Sequence, residues 1–178
     1  MKNTFIITLL TAFILCCSFI SEDAPRIFLI GDSTMANKPE SVAPETGWGM
    51  IFPEYIRLTV ENHAVNGRST KSFRTLGHWR TVYEKLRPGD WVFIQFGHND
   101  SKESDTSRYA PARTDYRKNL ERYIAEIRNK GANPLLITPV MRRKFDEKRR
   151  EEGPGAQWAA GGGGPASSPV TLRKTRLR

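Results

Sequence analysis

The sequence predicts an α/β domain built on a parallel β-sheet. Four short apolar segments alternate with stretches whose apolar residues recur at helical spacing. The third segment, residues 91–96, is apolar at nearly every position, as expected of a central strand covered on both faces. Three successive segments end in a polar turn that contains glycine. Because open α/β sheets place their chemistry at the carboxyl ends of the strands, these turns are the candidate site.

The first predicted strand, residues 27–30, runs directly into Gly31-Asp32-Ser33-Thr34. Gly31 permits a sharp turn that a side chain would block. Ser33 then lies just beyond the carboxyl end of a buried strand. A serine displayed at that position is a candidate nucleophile.

Helical and strand patterns follow in alternation. Apolar spacing predicts a crossover helix over 48–56, which Pro53 should kink or restart. A weaker, partly alternating strand is predicted over 58–65. The next apolar residues predict helix over 73–86, broken near Gly77. Together these segments form the first β-α-β units of the sheet.

The clearest helix is predicted over 114–130, where one apolar stripe recurs at helical spacing. Thr114 is the expected N-cap, and Gly131 fits the position just past the end. Residues 133–138 form a fourth predicted strand, closed by Pro139. No internal repeat is present.

Composition is that of an ordinary globular protein of 178 residues, with 38% hydrophobic and 26% charged residues. The net charge of the chain is +9. Residues 149–178 contain six of the basic and two of the acidic side chains that make up this charge. We therefore expect a mildly basic domain over 22–148 with a basic tail. This distribution is not the footprint of a dedicated nucleic-acid binder.

The first 21 residues are expected to be a signal peptide and not part of the fold. Lys2 supplies the positive charge, residues 5–15 form an apolar stretch, and small or polar residues follow up to Ser21. We expect an exported protein, periplasmic or extracellular. Cys16 and Cys17 are the only cysteines, and either is a possible lipid-attachment site, although the residues before them fit a lipobox poorly. Membrane contact is expected only through this segment or such an anchor.

The chain changes character at about residue 148. Residues 149–178 are rich in Gly, Pro, Ala and Arg and show no apolar period, so we expect them to be disordered. An out-of-frame reading of a GC-rich gene would produce such a composition. The hypothesis is that the chain is a truncated or frameshifted form of a longer domain. Reading the gene in all three frames past codon 148 tests it.

The three turns carry a resemblance to a known family. In chain order they read Gly31-Asp32-Ser33, Asn66-Gly67-Arg68-Ser69 and Gly97-His98-Asn99-Asp100. They resemble the first three motif blocks of the SGNH, or GDSL-like, hydrolases, and more narrowly those of the rhamnogalacturonan acetylesterases of carbohydrate esterase family twelve. The resemblance implies a three-layer α/β/α fold with a flavodoxin-like parallel sheet. It also implies an acetylated plant cell-wall polysaccharide as substrate, and no cofactor.

The resemblance implies a role for each motif residue. Ser33 would attack the carbonyl of an acetyl ester. Its own N–H, the Gly67 N–H and the Asn99 side-chain amide would stabilise the oxyanion, where one donor is worth roughly 3–4 kcal/mol. Asp32 and His98 are expected as supporting residues. The alternatives are that Gly67 only permits a turn and that Asn99 only closes one.

The sequence departs from the family pattern in its last block, an Asp-x-x-His that supplies the catalytic base and its orienting carboxylate. None of the three histidines follows an aspartate by three positions. His63 is expected to be a packed or surface residue, His78 to be exposed, and the His98 side chain to point away from Asn99. The fifth strand and final helix of the family are also absent from the pattern. We therefore expect a C-terminally incomplete fold and an impaired enzyme.

Three classes of function remain open at this point. An esterase is favoured by the three motif blocks. A carbohydrate-binding protein without turnover is favoured by the missing base. A nucleic-acid or anionic-surface binder is favoured only by the net charge and the tail, and we expect no such partner. No metal-ligating cluster and no nucleotide-binding loop occur in the sequence.

Overall fold

The computed structural model describes residues 24–140. The predicted signal peptide over 1–21 and the predicted tail over 149–178 lie outside the described residues. So does the last part of the domain predicted over 22–148. None of the helices within 24–140 is long and apolar enough to cross a membrane.

Four parallel strands form one sheet. Their order is β2-β1-β3-β4, so the first strand lies between the second and the third, as in a flavodoxin-like sheet. The strands are β1 (Ile27–Gly31), β2 (Val60–Asn62), β3 (Trp91–Gln95) and β4 (Asn133–Leu136). The predicted parallel α/β sheet is confirmed.

The strand register brings the three glycine-containing turns to one edge of the sheet. Ile27 in β1 is aligned with Val60 in β2 and with Trp91 in β3, and Trp91 is aligned with Asn133 in β4. All three pairs are parallel, so the strands end on the same side of the sheet. The turns that follow β1, β2 and β3 are therefore neighbours at the carboxyl edge.

Helices connect the strands. The α-helices are α1 (Trp48–Ile51), α2 (Thr70–Thr75), α3 (His78–Lys85) and α4 (Arg117–Asn129). Two 3-10 helices, Glu40–Val42 and Phe52–Tyr55, flank α1, and a π-helical turn, Ala112–Tyr116, leads into α4.

Side chains of β1 alternate between two apolar clusters, one on each face of the sheet. Phe28 and Ile30 are buried in the larger cluster, together with residues of α2, α3 and α4. Ile27 and Leu29 are buried in the smaller one, against Met35 and the helices around α1. Burying one large apolar side chain stabilises the fold by about 1.5–3 kcal/mol. Because helices cover both faces, the architecture has the predicted three layers.

Two local predictions about helix breaks are confirmed. Pro53 ends α1 and lies in the first turn of the 3-10 helix Phe52–Tyr55, where its missing N–H is tolerated. Gly77 separates α2 from α3 and has a φ of +83°. A side chain would be strained in that left-handed conformation.

Two other details differ from the predictions. Thr114 is not an N-cap, because the helical turn already begins at Ala112, after Pro111, without a side-chain cap. The regular part of β2 has three residues, although 58–65 was expected. Beyond it, His63 and Val65 still donate backbone hydrogen bonds of 2.9 and 3.1 Å to carbonyl groups of β1. The pairing therefore continues past the regular strand.

Candidate active site

The turn after β1 is held against β3. A Cβ on Gly31 would lie 2.6 Å from the backbone oxygen of Gln95, so only glycine fits there. The Asp32 carboxylate accepts hydrogen bonds from the backbone N–H of Thr34, at 2.9 Å, and from its hydroxyl, at 2.8 Å. These bonds fix a tight turn around Ser33, which is half-buried. Asp32 thus supports the conformation of the turn.

A second set of contacts, made by the Gln95 side chain, anchors the same turn. The Gln95 Oε1 atom lies 3.1 Å from the Thr34 hydroxyl and accepts a 2.7 Å hydrogen bond from the Trp48 indole N–H. The Gln95 side-chain nitrogen, Nε2, donates a hydrogen bond to the carbonyl of Thr138 at 3.2 Å. Gln95, at the end of β3, therefore connects the turn after β1 to α1 and to the segment after β4.

The second and third turns are joined to each other through Asn99. This side chain is 4% exposed, and its Nδ2 donates a 3.0 Å hydrogen bond to the backbone carbonyl of Arg68. A carbonyl can only accept, so the amide nitrogen must face the second turn. An amide nitrogen carries two N–H groups, which leaves one for another acceptor. Gly67, next to Arg68, has a φ of +73°.

Three N–H donors are available at this edge of the sheet. The backbone N–H groups of Ser33 and Gly67 donate no hydrogen bond to any residue within 24–140. The second N–H of Asn99 is likewise unused there. Ser33 and Gly67 are half-buried, so their unused N–H groups in neighbouring turns can donate to an acceptor from outside the chain. The arrangement can stabilise negative charge on an oxygen held next to Ser33.

Behind Asn99 lies a buried carboxyl group that the sequence analysis did not assign. Asp100 is fully buried, and its Oδ1 accepts hydrogen bonds from both the backbone N–H and the hydroxyl of Thr70, the first residue of α2. Asn119 donates to the same hydroxyl at 2.9 Å, and the Tyr123 hydroxyl donates to the Thr70 carbonyl at 3.0 Å. This network holds the start of α2 against the third turn.

The charge state of Asp100 differs from that of an ordinary aspartate. Burial raises the pKa of its carboxyl to about 7 against the opposing hydrogen bonds from Thr70, and the negative charge of Asp32 adds to the rise. The Oδ2 atom is buried and has no hydrogen-bond partner among the described residues. Asp100 therefore stays protonated over a wider pH range than a surface carboxylate.

Comparison with known proteins decides the family. The model of the GDSL-like Lipase/Acylhydrolase family matches residues 29–161, which include all three turns. The chain belongs to the GDSL-like lipase/acylhydrolase family.

Curated relatives are found in Bacillus subtilis (strain 168). The chain is 41% identical over 127 residues to the probable rhamnogalacturonan acetylesterase YesY, covering 69% of this chain and 57% of that protein. It is 40% identical over 129 residues to the rhamnogalacturonan acetylesterase RhgT, covering 71% of this chain and 54% of that protein. The chain thus spans about half the length of the curated relatives it matches.

A solved structure supports the same fold. The crystal structure of the protein YxiM from Bacillus subtilis superposes with a TM-score of 0.64 at 26% identity. The match covers 78% of this chain and 40% of that one. The SGNH-type α/β fold expected from the motif blocks is therefore confirmed for the described part of the chain.

The three histidines of this family member make contacts away from Ser33. His63 stacks on Phe28 and its Nε2 lies 3.0 Å from a Glu61 oxygen. His98, expected as a supporting residue, has its Nε2 2.6 Å from the carbonyl oxygen of Val140. Its ring thus contacts the segment after β4 and not the neighbouring Asn99.

His78 was expected to be exposed, and that prediction is wrong. It is half-buried as the first residue of α3, with its ring 5.4 Å from the ring of Phe73. Burial, and then the positive charge of Arg68, lower the pKa of His78. Within 24–140, no side chain accepts a hydrogen bond from the Ser33 hydroxyl. In the same range, no cluster of three or more His, Cys, Asp or Glu side chains is arranged to hold a metal ion.

Sequence reasoning missed the residues that position Asn99 and the third turn. Arg68 contributes its backbone carbonyl, which no side-chain pattern reveals. Thr70 and Asn119 contact each other across 49 positions of sequence. The one available signal was Asp100 itself, a charged residue that directly follows the Asn99 of the third block.

Proposed function

We propose that this chain is an exported serine esterase that removes acetyl groups from a pectic polysaccharide such as rhamnogalacturonan. The observation that carries the proposal is the set of unused N–H donors of Ser33, Gly67 and Asn99 at one edge of the sheet. Relatives that carry the name rhamnogalacturonan acetylesterase support the substrate class. The apolar segment predicted as a signal supports export, since the polysaccharide lies outside the cell.

The proposed reaction is transfer of an acetyl group to Ser33 and then to water. The Ser33 oxygen attacks the acetyl carbonyl carbon, and the carbonyl oxygen takes up negative charge facing the three donors. The bond to the sugar oxygen then breaks, and the sugar leaves as an alcohol that carries the proton lost from the Ser33 hydroxyl. Water attacks the acetyl-serine in the same way, which releases acetate and restores the hydroxyl.

We also propose that turnover by this chain is weak. A serine hydroxyl is a poor nucleophile unless an adjacent base accepts its proton. All three histidines of the sequence contact groups other than Ser33. In serine hydrolases, losing the nucleophile or its histidine base costs on the order of 10⁶ in turnover, while the oxyanion donors retain part of the acceleration. The rate should lie several decades below that of a relative with a complete triad.

A second candidate function is binding of the polysaccharide without turnover. It is favoured by the same observation, since an esterase site without a described base can still hold an acetylated sugar. The two candidates differ in one measurable product, which is acetate. Binding together with no acetate release beyond the uncatalysed rate would favour the second candidate.

The test is acetate release from acetylated rhamnogalacturonan by the 178-residue chain and by its Ser33→Ala variant. The serine esterase predicts slow release that Ser33→Ala abolishes. Ser41→Ala is the matched control, because Ser41 is an exposed serine in the 3-10 helix Glu40–Val42 and should leave the rate unchanged. Equal rates for the chain and Ser33→Ala would remove Ser33 from the mechanism.

The same assay with alanine at each histidine tests the proposal of weak turnover. We expect only small changes in His63→Ala, His78→Ala and His98→Ala. Turnover at the level of a relative with a complete triad, lost in one of these variants, would identify that histidine as the base and overturn this proposal.

A further inference from the structure

A pocket lies beside the proposed oxyanion donors. Its volume is about 400 Å³, within the range of roughly 300–1,000 Å³ of small-molecule sites. Side chains from three segments line it: the turn after β2, helix α2 and the loop that follows the third turn. They include Arg68, Leu76, Ser107 and Arg108.

The pocket carries one positive charge that no described carboxylate balances. Arg108 is paired with Asp105, whose Oδ2 lies 2.6 Å from the arginine Nε. Hydrogen bonds from Ser107 and then from Arg108 lower the pKa of Asp105 to about 2, so this pair is neutral overall at physiological pH. Arg68 makes no ion pair within 24–140, and its Nε is buried without a hydrogen-bond partner there. Its charge also lowers the pKa of His78.

The pocket and the oxyanion donors share one turn. A Cβ on Gly67 would lie 3.6 Å from Nη1 of Arg108, so the pocket borders the backbone at Gly67. The Arg68 carbonyl accepts the hydrogen bond that orients Asn99. A ligand group bound by the Arg68 side chain would therefore lie next to an ester bound by Gly67 and Asn99. Gly67 is in the same turn as Arg68, and Asn99 is hydrogen-bonded to that turn.

We propose that this pocket binds the carboxylate of a uronic acid residue in the polysaccharide substrate. The inference rests on the proposed function and adds the group by which the polymer is recognised. A guanidinium presents paired N–H donors that match the two oxygens of a carboxylate. Leu76 is 58% exposed at the pocket and offers an apolar surface to the C–H face of a sugar ring. A neutral polysaccharide would offer the Arg68 guanidinium hydroxyl acceptors but no negative charge to balance its own.

The test measures binding and not turnover. Acetylated rhamnogalacturonan oligosaccharides are titrated into the full 178-residue chain carrying Ser33→Ala, with their carboxylates either intact or reduced to alcohols. We expect the intact oligosaccharides to bind about tenfold more tightly, as for one charge-assisted contact. Equal affinity for the two forms would overturn the carboxylate site. This comparison needs no substitution of Arg68.

Substitution of Arg68 locates the effect. In Arg68→Gln the affinity ratio between intact and reduced oligosaccharides should fall to about one. Arg80→Gln is the matched control, because Arg80 is an exposed arginine of α3 paired with Glu84, and it should retain the tenfold ratio. A ratio retained in Arg68→Gln would overturn the assignment to this pocket.

Acetate release by the chain with Ser33 present separates this inference from the proposed function. If both oligosaccharides lose acetate at equal rates and bind equally well, the esterase stands and the carboxylate site falls. If neither loses acetate but the intact form binds more tightly, the carboxylate site stands and the esterase falls.

Discussion

Two buried aspartates, one at each end of the sheet, are held in opposite ways. Asp90 lies just before β3 and is 2% exposed, and its Oδ2 is 2.7 Å from a guanidinium nitrogen of Arg26, just before β1. Asp100 lies in the turn beyond the other end of β3. It accepts hydrogen bonds from Thr70 on one oxygen only, and no cation of the described residues pairs with it.

The pKa values of the two carboxyl groups diverge as a result. Burial raises both, but at Asp90 the hydrogen bonds from Arg26 and Arg87 outweigh burial, and the pKa is lowered. At Asp100 burial outweighs the hydrogen bonds, and the pKa rises to about 7. The amino end therefore compensates its buried charge, whereas the carboxyl end keeps a carboxyl group whose ionisation is costly.

Backbone groups show the same contrast. At the amino end, the N–H groups of Arg26 and Arg87 both donate to Asp90 at 2.9 Å. At the carboxyl end, the N–H groups of Ser33 and Gly67 donate to no residue within 24–140. Proteins tend to break local rules where they bind or react. The difference teaches that the carboxyl end is arranged for a ligand and the amino end for stability.

Removing Asp90 should produce the largest loss of stability. Asp90→Ala deletes the acceptor of several buried hydrogen bonds and one partner of a buried ion pair. Breaking such a pair costs about 3–5 kcal/mol, so the free energy of unfolding at pH 7 should fall by that amount. Urea denaturation measures it.

The control for this prediction is an ion pair on the surface. Glu84→Ala removes the partner of Arg80, whose side chain is 82% exposed, and should leave the unfolding midpoint nearly unchanged. Similar losses in both variants would mean that the burial of the Asp90 pair does not matter. The contrast between the two ends would then fail at its amino end.

Asp100 should make stability fall as the pH rises. The folded state keeps the Asp100 proton up to about pH 7, whereas the unfolded chain releases it near pH 4. The folded state therefore binds more protons between these values, and the free energy of unfolding decreases as the pH rises through this window. The total decrease from this group is up to about 4 kcal/mol.

Asp100→Asn removes that titration and leaves the oxygen that accepts from Thr70. The difference in unfolding free energy between the variant and the parent chain should shift in favour of the variant from pH 4 to pH 8. The opposing titration of His78, whose pKa is lowered, is common to both proteins and cancels in the difference. A difference that stays constant with pH would show that Asp100 ionises normally in the folded state.

The elements that local chemistry determines could be predicted from the sequence. Gly77 and Pro53 interrupt helices through the backbone preferences of the residues themselves, and both breaks were predicted correctly. The three glycine-containing turns placed the candidate site at the carboxyl edge, because parallel strands must end on one side. The structure leaves the catalytic roles of Ser33, Gly67 and Asn99 as predictions, although it brings their turns together.

The contacts that distinguish the two ends could not be predicted. Arg26 and Asp90 are 64 positions apart and meet only because β1 and β3 are aligned in one register. Thr70 and Asp100 are 30 positions apart and meet only when α2 packs behind the third turn. The error at Thr114 has a similar origin, since the helical turn begins at Ala112 without a side-chain cap and buries Ala112 and Tyr116. Periodicity carries no information about such pairs.

The smallest expected effect compares two glycines with almost the same backbone conformation. Gly67 at the carboxyl end has a φ of +73°, and Gly131 at the amino end has a φ of +71°. An alanine at either position pays about 1 kcal/mol for the left-handed conformation. The surroundings differ, because the new Cβ would lie 3.6 Å from a flexible arginine at Gly67 but 3.2 Å from the ring of Pro88 at Gly131.

Gly67→Ala should therefore cost about 1 kcal/mol, and Gly131→Ala about 2 kcal/mol, because overpacking against Pro88 adds to the backbone strain. Urea denaturation of the two variants measures the difference, and the matched φ values remove the conformational cost from it. Equal losses would mean that both ends of the sheet are packed alike around these turns. A larger loss at Gly67 would contradict the space around Gly67 itself, where the proposed substrate must reach the backbone.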